Sequence, residues 1–426
     1  MRLEAAGLIA SLRQLPEVDE WLVIERQVRR TRRTVGPGGA AEMVGQTLSA
    51  ILYRDLETGR GVARVDLTSE DEGEARARLA AAAEQAALAV GPGWVLPPPA
   101  APARVEVADP DIIGNLAGVG GEVLRPVERV KLAVARAELT AELSTYRIES
   151  SHHFASEYQA TRLSFDVTVS DGRGGAERVR GAVRRMRDVR LAARLTRALE
   201  TAGLRRSARP IEPGSYDLLL GPGALAMPRH GCFAPIVAQA SGERIRLGLS
   251  RYRPGQKVFA AGGEDFTLVS DGTIPFGIES APFGALGEPV RRFVLVEDGV
   301  AVDRALDLRE GALAGVPPNG GVRNLALSPG RETAAELSAP GERPLLVVRE
   351  LAWLDADRQS GDLTAEVGLA TVTHKGGAAP VTVSGGLFSG NAYDLLGRAR
   401  RSRESGAAAW YRGPRALRID RVDVVR

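Results

Sequence analysis

The sequence predicts an α+β protein with an N-terminal α/β unit, a middle segment of helix and strand, and a β-rich C-terminal half. Three observations carry that prediction. From about Arg209 onward, short strand-like stretches alternate with Gly/Pro turns, whereas earlier parts of the chain hold two strong helical patterns. A proline run separates the first unit from the middle segment. At 426 residues the chain exceeds one ordinary hydrophobic core, so two or three domains are expected.

Leu8, Ile9, Leu12 and Leu15 fall at helical spacing and predict a short amphipathic helix. Trp21 to Val28 and Gln46 to Arg54 read as strands, as does Gly59 to Leu67. Glu57-Thr58-Gly59 supplies a turn for an antiparallel hairpin. Ser69 and Glu72 have capping-box spacing and open a helix through the alanine-rich run to Val90. Leu96 to Ala103, with three consecutive prolines, predicts a stiff linker. The resulting division is 1–96, 104–208 and 209–426.

Within 104–208, a helical stretch is expected over Val123 to Ala135, with Pro126 at its start. Strands are expected next over Glu138 to Ser150 and Thr161 to Ser170, and Asp171-Gly172 makes a turn. Asp188 is the predicted cap of a second helix whose apolar face is Val189, Ala192, Leu195, Leu199 and Ala202, stopped by Gly203. Beyond 209 the predicted strands are Tyr216 to Leu220, Arg244 to Leu249, Phe266 to Val269, Arg292 to Val296, Leu345 to Leu351, Leu363 to Thr373 and Val381 to Val383.

Composition narrows the function classes. Hydrophobic residues make up 44% and charged residues 26%, the balance of a soluble globular protein. The net charge is +3, with arginines interleaved among acids. A nucleic-acid binder needs its positive charge gathered on one face, so this pattern argues against DNA or RNA. Cys232 is the single cysteine and implies no oxidising compartment. Arg2, Glu4 and Arg13 break the apolar character of the first residues, and no stretch approaches the roughly 18 apolar residues of a membrane span. A cytoplasmic protein with no membrane partner is expected.

Four histidines bound the metal and acid–base chemistry. His152 and His153 are adjacent on a strand or turn, so their side chains diverge and read as an exposed polar pair. His230 and Cys232 are the candidates for a metal site, although two ligands without an acidic or third histidine neighbour make a poor one. A nucleophilic pairing of the same two residues requires an awkward contact. His374, beside Lys375-Gly376-Gly377, reads as a loop residue. The chain holds no G-x-S-x-G elbow and no G-x-x-x-x-G-K-[ST] loop. Gly36 to Gly39 and Gly120-Gly121 are read as turns.

A succession of short motifs stands in the C-terminal half: Ser280-Ala281-Pro282-Phe283, Arg291 to Val300, Asn324 to Gly330, Leu346 to Leu351, Ser360-Gly361-Asp362-Leu363-Thr364 with Gly368, and Gly390 to Leu396. Their order resembles the C-terminal domain of the TldD/PmbA family, a metallopeptidase-related family also described as modulators of DNA gyrase. The α/β unit and the segment around Ser215 to Ala224 fit the same resemblance. In that family the TldD type carries zinc on an H-E-x-x-x-H helix with a later cysteine, and the intervening glutamate can act as general base. The PmbA/TldE type lacks these ligands and pairs with a TldD-type subunit.

This chain has neither H-E-x-x-x-H nor H-E-x-x-H, and no cysteine comes after Cys232. Gly223 to Pro235 occupies the place of the zinc helix, interrupted by Pro228 and Pro235. After Phe283, Gly284-Ala285-Leu286-Gly287 replaces the family's D-x-E-G, and Gly315 to Val322 is shorter than its counterpart. The resemblance therefore implies a PmbA/TldE-like subunit, inactive alone, with no catalytic, metal or cofactor residue of its own. Zinc is expected in a TldD-type partner, and an unfolded peptide is the implied substrate of the pair. The alternative is a stand-alone homodimeric peptide-binding or scaffold protein without a proteolytic role. A metallopeptidase with altered ligands would have to use His230 or the His152-His153 pair.

Overall fold

The computed structural model describes residues 4–35, 39–67, 72–129, 133–259, 264–377 and 379–426. A seven-stranded antiparallel sheet dominates the N-terminal half. It is built from β1 (Glu20–Val35), β2 (Ala40–Leu56), β3 (Gly59–Leu67), β4 (Val90–Gly91), β5 (Ala133–Ser150), β6 (Ala155–Ser170) and β7 (Ala176–Val183). Their spatial order is β4-β3-β2-β1-β5-β6-β7. Because β1 pairs with β5 from Leu22↔Ser150 to Val35↔Ala137, strands from both sides of the 96–103 segment share this sheet.

Alternation along each strand sorts side chains onto two faces. Trp21 and Val23 face α1 (Ala5–Leu12) and α2 (Glu72–Ala86), with Leu8, Leu52 and Leu79 in the same core. Farther along that face, Ala137, Leu163 and Phe165 pack beneath α3 (Pro110–Gly114), α4 (Leu116–Arg129), α5 (Met186–Val189) and α6 (Leu191–Ser207). Leu22, Ile51 and Ile148 point the other way, onto Phe283 and Leu286 of the C-terminal half. The opposite face is thus covered by the C-terminal half at one end and open at the other.

Residues 209–425 supply two further sheets. Gly214–Leu220, Leu345–Ala356, Asp362–Thr373 and Leu417–Val425 are the main strands of an eight-stranded sheet, and Leu268–Asp271 and Asn324–Leu327 are central in a six-stranded one. Leu218, Phe233, Leu295, Leu325 and Leu346 are fully buried between them. Truncating any one of these leucines to alanine costs about 2–5 kcal/mol. No helix among the described residues is long and apolar enough to cross a membrane.

Several local expectations change. Arg244 to Leu249 is not a strand: Gly242–Arg246 forms a helix whose N-cap is Ser241, with Oγ accepting the Arg244 N–H at 3.4 Å. The Arg-Ile-Arg-Leu alternation misleads there because the cap and the flanking left-handed Gly248 define one helical turn. Asp188 does not cap the second helix, since its carboxylate binds Arg185 at 2.8 Å. The break falls instead at Arg190 (φ 45), and α6 runs through Gly203 to Ser207. The helix expected from Val123 begins earlier, at Leu116, and Pro126 lies in its last part rather than at its start. By Ala133 the chain is already β5.

Gly120-Gly121 is inside α4 rather than in a turn. A Cβ on Gly120 would meet the Arg33 side chain at 2.9 Å, so this glycine lets the helix approach β1. The α2 helix ends at Ala86, short of Val90. The predicted Ser69 cap and most of the Gly36 to Gly39 run lie outside the described residues. The proline segment packs rather than swings: Trp94 and Leu96 are buried, and the Ala103 N–H donates to Pro282 O at 2.8 Å.

Candidate functional site

His230 and Cys232, the metal candidates read from the sequence, lie just past the strand Gly214–Leu220. There the chain forms α7 (Pro222–Leu225), a 3-10 turn over Pro228–Phe233 and α8 (Ala234–Gln239). Pro228 opens the turn and Pro235 lies in the first turn of α8, where a missing N–H is tolerated. Between them Arg229 (φ 56), His230 (φ 71) and Gly231 (φ 50) are all left-handed. For the two non-glycine residues this conformation costs roughly 1–2 kcal/mol each, so neighbours must hold it.

Those neighbours are visible. The His230 ring meets Trp410 edge-on at 5.0 Å, and its Nε2 lies 3.3 Å from a Glu279 carboxylate oxygen. Trp410 Nε1 donates to Met227 O at 3.2 Å, closing the turn from the other side. Cys232 is buried in the C-terminal core, and burial pushes its thiol pKa up to about 12. The two candidates therefore enter different environments, one polar and one apolar.

Zinc demands about four N, S or O ligands at roughly 2.0–2.3 Å, with the thiol ionised. A protonated core thiol and an imidazole engaged with one carboxylate do not fit it. Among the described residues no three His, Cys, Asp or Glu side chains are grouped to hold a metal.

The other histidines separate as well. His152, in the turn between β5 and β6, places Nε2 2.6 Å from Glu20, and is more engaged than an exposed polar pair implies. Glu20 is also bound by Arg60, a fully buried arginine stacked over Tyr53 at 4.7 Å and Trp94 at 4.9 Å. His153 (φ 60) and His374 are exposed. His152 also borders a cavity of about 240 Å³ walled by Leu22, Pro97, Phe154, Leu286 and Pro317, with Arg291 among its lining residues. The cavity lies where the sheet, the proline segment and the C-terminal half meet.

One wall of it is the loop that departs from D-x-E-G. The Glu288 carboxylate turns into this loop and accepts the Leu286 N–H at 3.0 Å, while Gly284 N–H donates to Glu288 O at 2.7 Å. Burial raises the Glu288 pKa. This acid braces a loop rather than offering a carboxylate to solvent.

From that loop an aromatic line crosses onto the sheet. Phe283 meets Tyr158 edge-on at 4.9 Å, Tyr158 stacks on Tyr146 at 4.8 Å, and Arg26 lies over Tyr146 at 5.3 Å. Arg184, just beyond β7, donates to the carbonyls of Gly277, Ile278 and Ser280 at 2.8, 3.0 and 2.9 Å. These residues join the two halves of the chain, and sequence reasoning missed them. A signal for one of them existed: Arg26, Arg30 and Arg32 all stand an even number of residues apart, on one face of a single strand.

The architecture is shared with solved proteins. TldE from Thermococcus kodakarensis superposes with a TM-score of 0.73 at 18% identity, covering 99% of both chains. A candidate modulator of DNA gyrase from Bacteroides thetaiotaomicron gives 0.78 at 15% identity, covering 99% of this chain and 97% of that one. Another from Thermotoga maritima gives 0.74 at 17%, covering 99% of both. At such identities the likeness establishes the fold. No curated protein matches the sequence. Residues 213–425, half of the chain, match the PmbA/TldA metallopeptidase C-terminal domain, and the protein accordingly belongs to the TldD/PmbA metallopeptidase-related family.

Proposed function

We propose that this chain is a PmbA/TldE-like, non-catalytic subunit that pairs with a TldD-type zinc subunit and holds an unfolded peptide for it in the cytoplasm. The observation that carries this reading is the left-handed turn at Arg229-His230-Gly231. It sends Cys232 into the core and His230 onto Glu279, in the segment that the family resemblance matches to the TldD-type H-E-x-x-x-H helix. On this reading its contribution is binding.

Two features support that role. β7 is an edge of the seven-stranded sheet and can pair an extended peptide through main-chain hydrogen bonds, with little sequence preference. The apolar cavity beside His152 offers a place for side chains of such a segment. Mixing the purified protein with a TldD-type protein from the same source, and following mass by light scattering with and without an unstructured peptide, tests the pairing. A stable heteromer that retains peptide is the expected result. Persistence as a homodimer that binds peptide but ignores the TldD-type protein would favour the scaffold alternative.

A further inference from the structure

The open half of the seven-stranded sheet holds a patterned field of charge. Cross-strand registers place Arg26, Arg30 and Arg32 of β1, Arg136, Glu138 and Glu142 of β5, Arg162 and Asp166 of β6, and Arg178 and Arg180 of β7 on one face. This is the face opposite α4 and α6. Each carboxylate is shared by two guanidiniums: Glu142 by Arg26 and Arg30, Glu138 by Arg32 and Arg136, and Asp166 by Arg178 and Arg180. Among the described residues Arg162 reaches only the Ser164 hydroxyl, at 3.4 Å.

Seven arginines against three acids leave a surplus of four positive charges, more than the +3 of the whole chain. Positive charge is therefore segregated onto one face, which the linear sequence concealed. The carboxylates are recessed, with side chains 12%, 18% and 25% exposed for Glu142, Glu138 and Asp166. The side chains of Arg30 and Arg180 reach 39% and 61%. Shared carboxylates pin the arginine heads while leaving donors free, so a ligand meets pre-ordered forks suited to bidentate carboxylate recognition.

We infer that this sheet face selects acidic, extended polypeptide segments. The inference rests on the peptide-holding reading above and names the substrate class. Side chains of an extended chain recur on one side about every 6.8 Å, the spacing of alternate residues on the sheet beneath it. Aspartates and glutamates of a bound segment thus keep step with Arg30 and Arg32. Nucleic acid is disfavoured on two grounds. Tyr146 has Tyr158 on one side and Arg26 over its ring, and Tyr158 is also packed by Phe283, so neither ring is free to stack a base. Three carboxylates also stand inside the field a phosphate backbone would have to cross.

Fluorescence anisotropy on the full chain tests this with three labelled probes. They are an unstructured Asp/Glu-rich peptide, its Asn/Gln counterpart of equal length, and a single-stranded oligodeoxynucleotide of equal charge. The acidic peptide should bind at least about tenfold more tightly than the neutral one at low ionic strength, and the gap should narrow with salt. The double variant R30Q/R162Q should weaken acidic-peptide binding by about fivefold or more and leave the neutral peptide unchanged. R162E, at an exposed position with no carboxylate partner among the described residues, repeats the test without exposing a buried charge. Equal binding of both peptides would overturn the inference while leaving the peptide-holding role intact. Tighter binding of the oligonucleotide would overturn it in favour of nucleic acid. Failure of both peptides to bind would remove the peptide-holding reading too.

Discussion

Replacing Arg184 with methionine should loosen the joint between the sheet and the C-terminal half. The guanidinium donates three good bonds, to Gly277, Ile278 and Ser280 carbonyls at 2.8, 3.0 and 2.9 Å. Longer contacts reach Val107 O and Thr161 O at 3.4 and 3.5 Å. Burial draws its pKa below the usual arginine value, a sign that the group sits there at a desolvation cost. In the variant the Gly277 oxygen keeps the Ser280 N–H at 3.0 Å. Ile278 and Ser280 each lose a charged donor.

Three charge-assisted bonds at roughly 1.5–2 kcal/mol contribute about 5 kcal/mol. Relief of the guanidinium's desolvation returns about 2, leaving a loss of about 3 kcal/mol. Methionine replaces the aliphatic stem, so little of the loss is packing. Urea unfolding monitored by tryptophan fluorescence and circular dichroism reads the change, and R184K should fall between the two proteins. A loss under about 0.5 kcal/mol for R184M would refute the claim that Arg184 fastens the two halves.

Three buried titratable groups give further expected outcomes. Burial alone would raise the Asp217 carboxyl, but the Arg421 N–H and the Arg343 and Arg418 guanidiniums hold it below the usual value of 3.8. That stability is present above the ordinary value and lost as pH falls through the folded one, so D217N should cost about 3 kcal/mol near neutrality in urea titrations and progressively less in acid. Burial raises the Glu288 pKa above its usual 4.5, so this acid's contribution is complete below that pH and declines above it. Melting temperatures across a pH series should show E288Q gaining on the parent protein as pH rises past that point. With its thiol pKa near 12, Cys232 should resist a thiol reagent at neutral pH until the protein unfolds. C232A should lower stability by about 1 kcal/mol for the lost core contacts, measured by the same urea titration.

Much of the fold was legible because its signals are local. The hairpin at Glu57-Thr58 and the strand Gly59–Leu67 arise from a turn flanked by strand-forming residues, and they stand as expected. Helix boundaries were less readable, since Asp188 spends its carboxylate on Arg185 and Gly203 faces open space inside α6. Whether a polar residue caps a helix depends on which partner is closer in space, and sequence alone does not carry that. The same limit hid the joint at Arg184, whose acceptors lie 93 to 96 residues away. Pairing register, set across more than a hundred residues between β1 and β5, gathered arginines that look evenly mixed with acids in the sequence.

The candidate site was legible in part. Pro228 and Pro235 foretold an interrupted helix, and the interruption is there. Neither the three consecutive left-handed residues nor the Glu279 and Trp410 contacts to His230 could be read from spacing. Distant chain segments bring Glu279 and Trp410 to the turn, so the environment that orients His230 is entirely tertiary.

Cleavage of an unstructured model peptide tests the account most directly, measured with the purified protein alone, with added zinc, and with a TldD-type subunit from the same source. No cleavage is expected in the first two conditions, and chelator-sensitive cleavage in the third, unchanged by H230A in this chain. Chelator-sensitive cleavage by the protein alone, abolished by H230A, would contradict it and make the Arg229-His230-Gly231 turn a metal site.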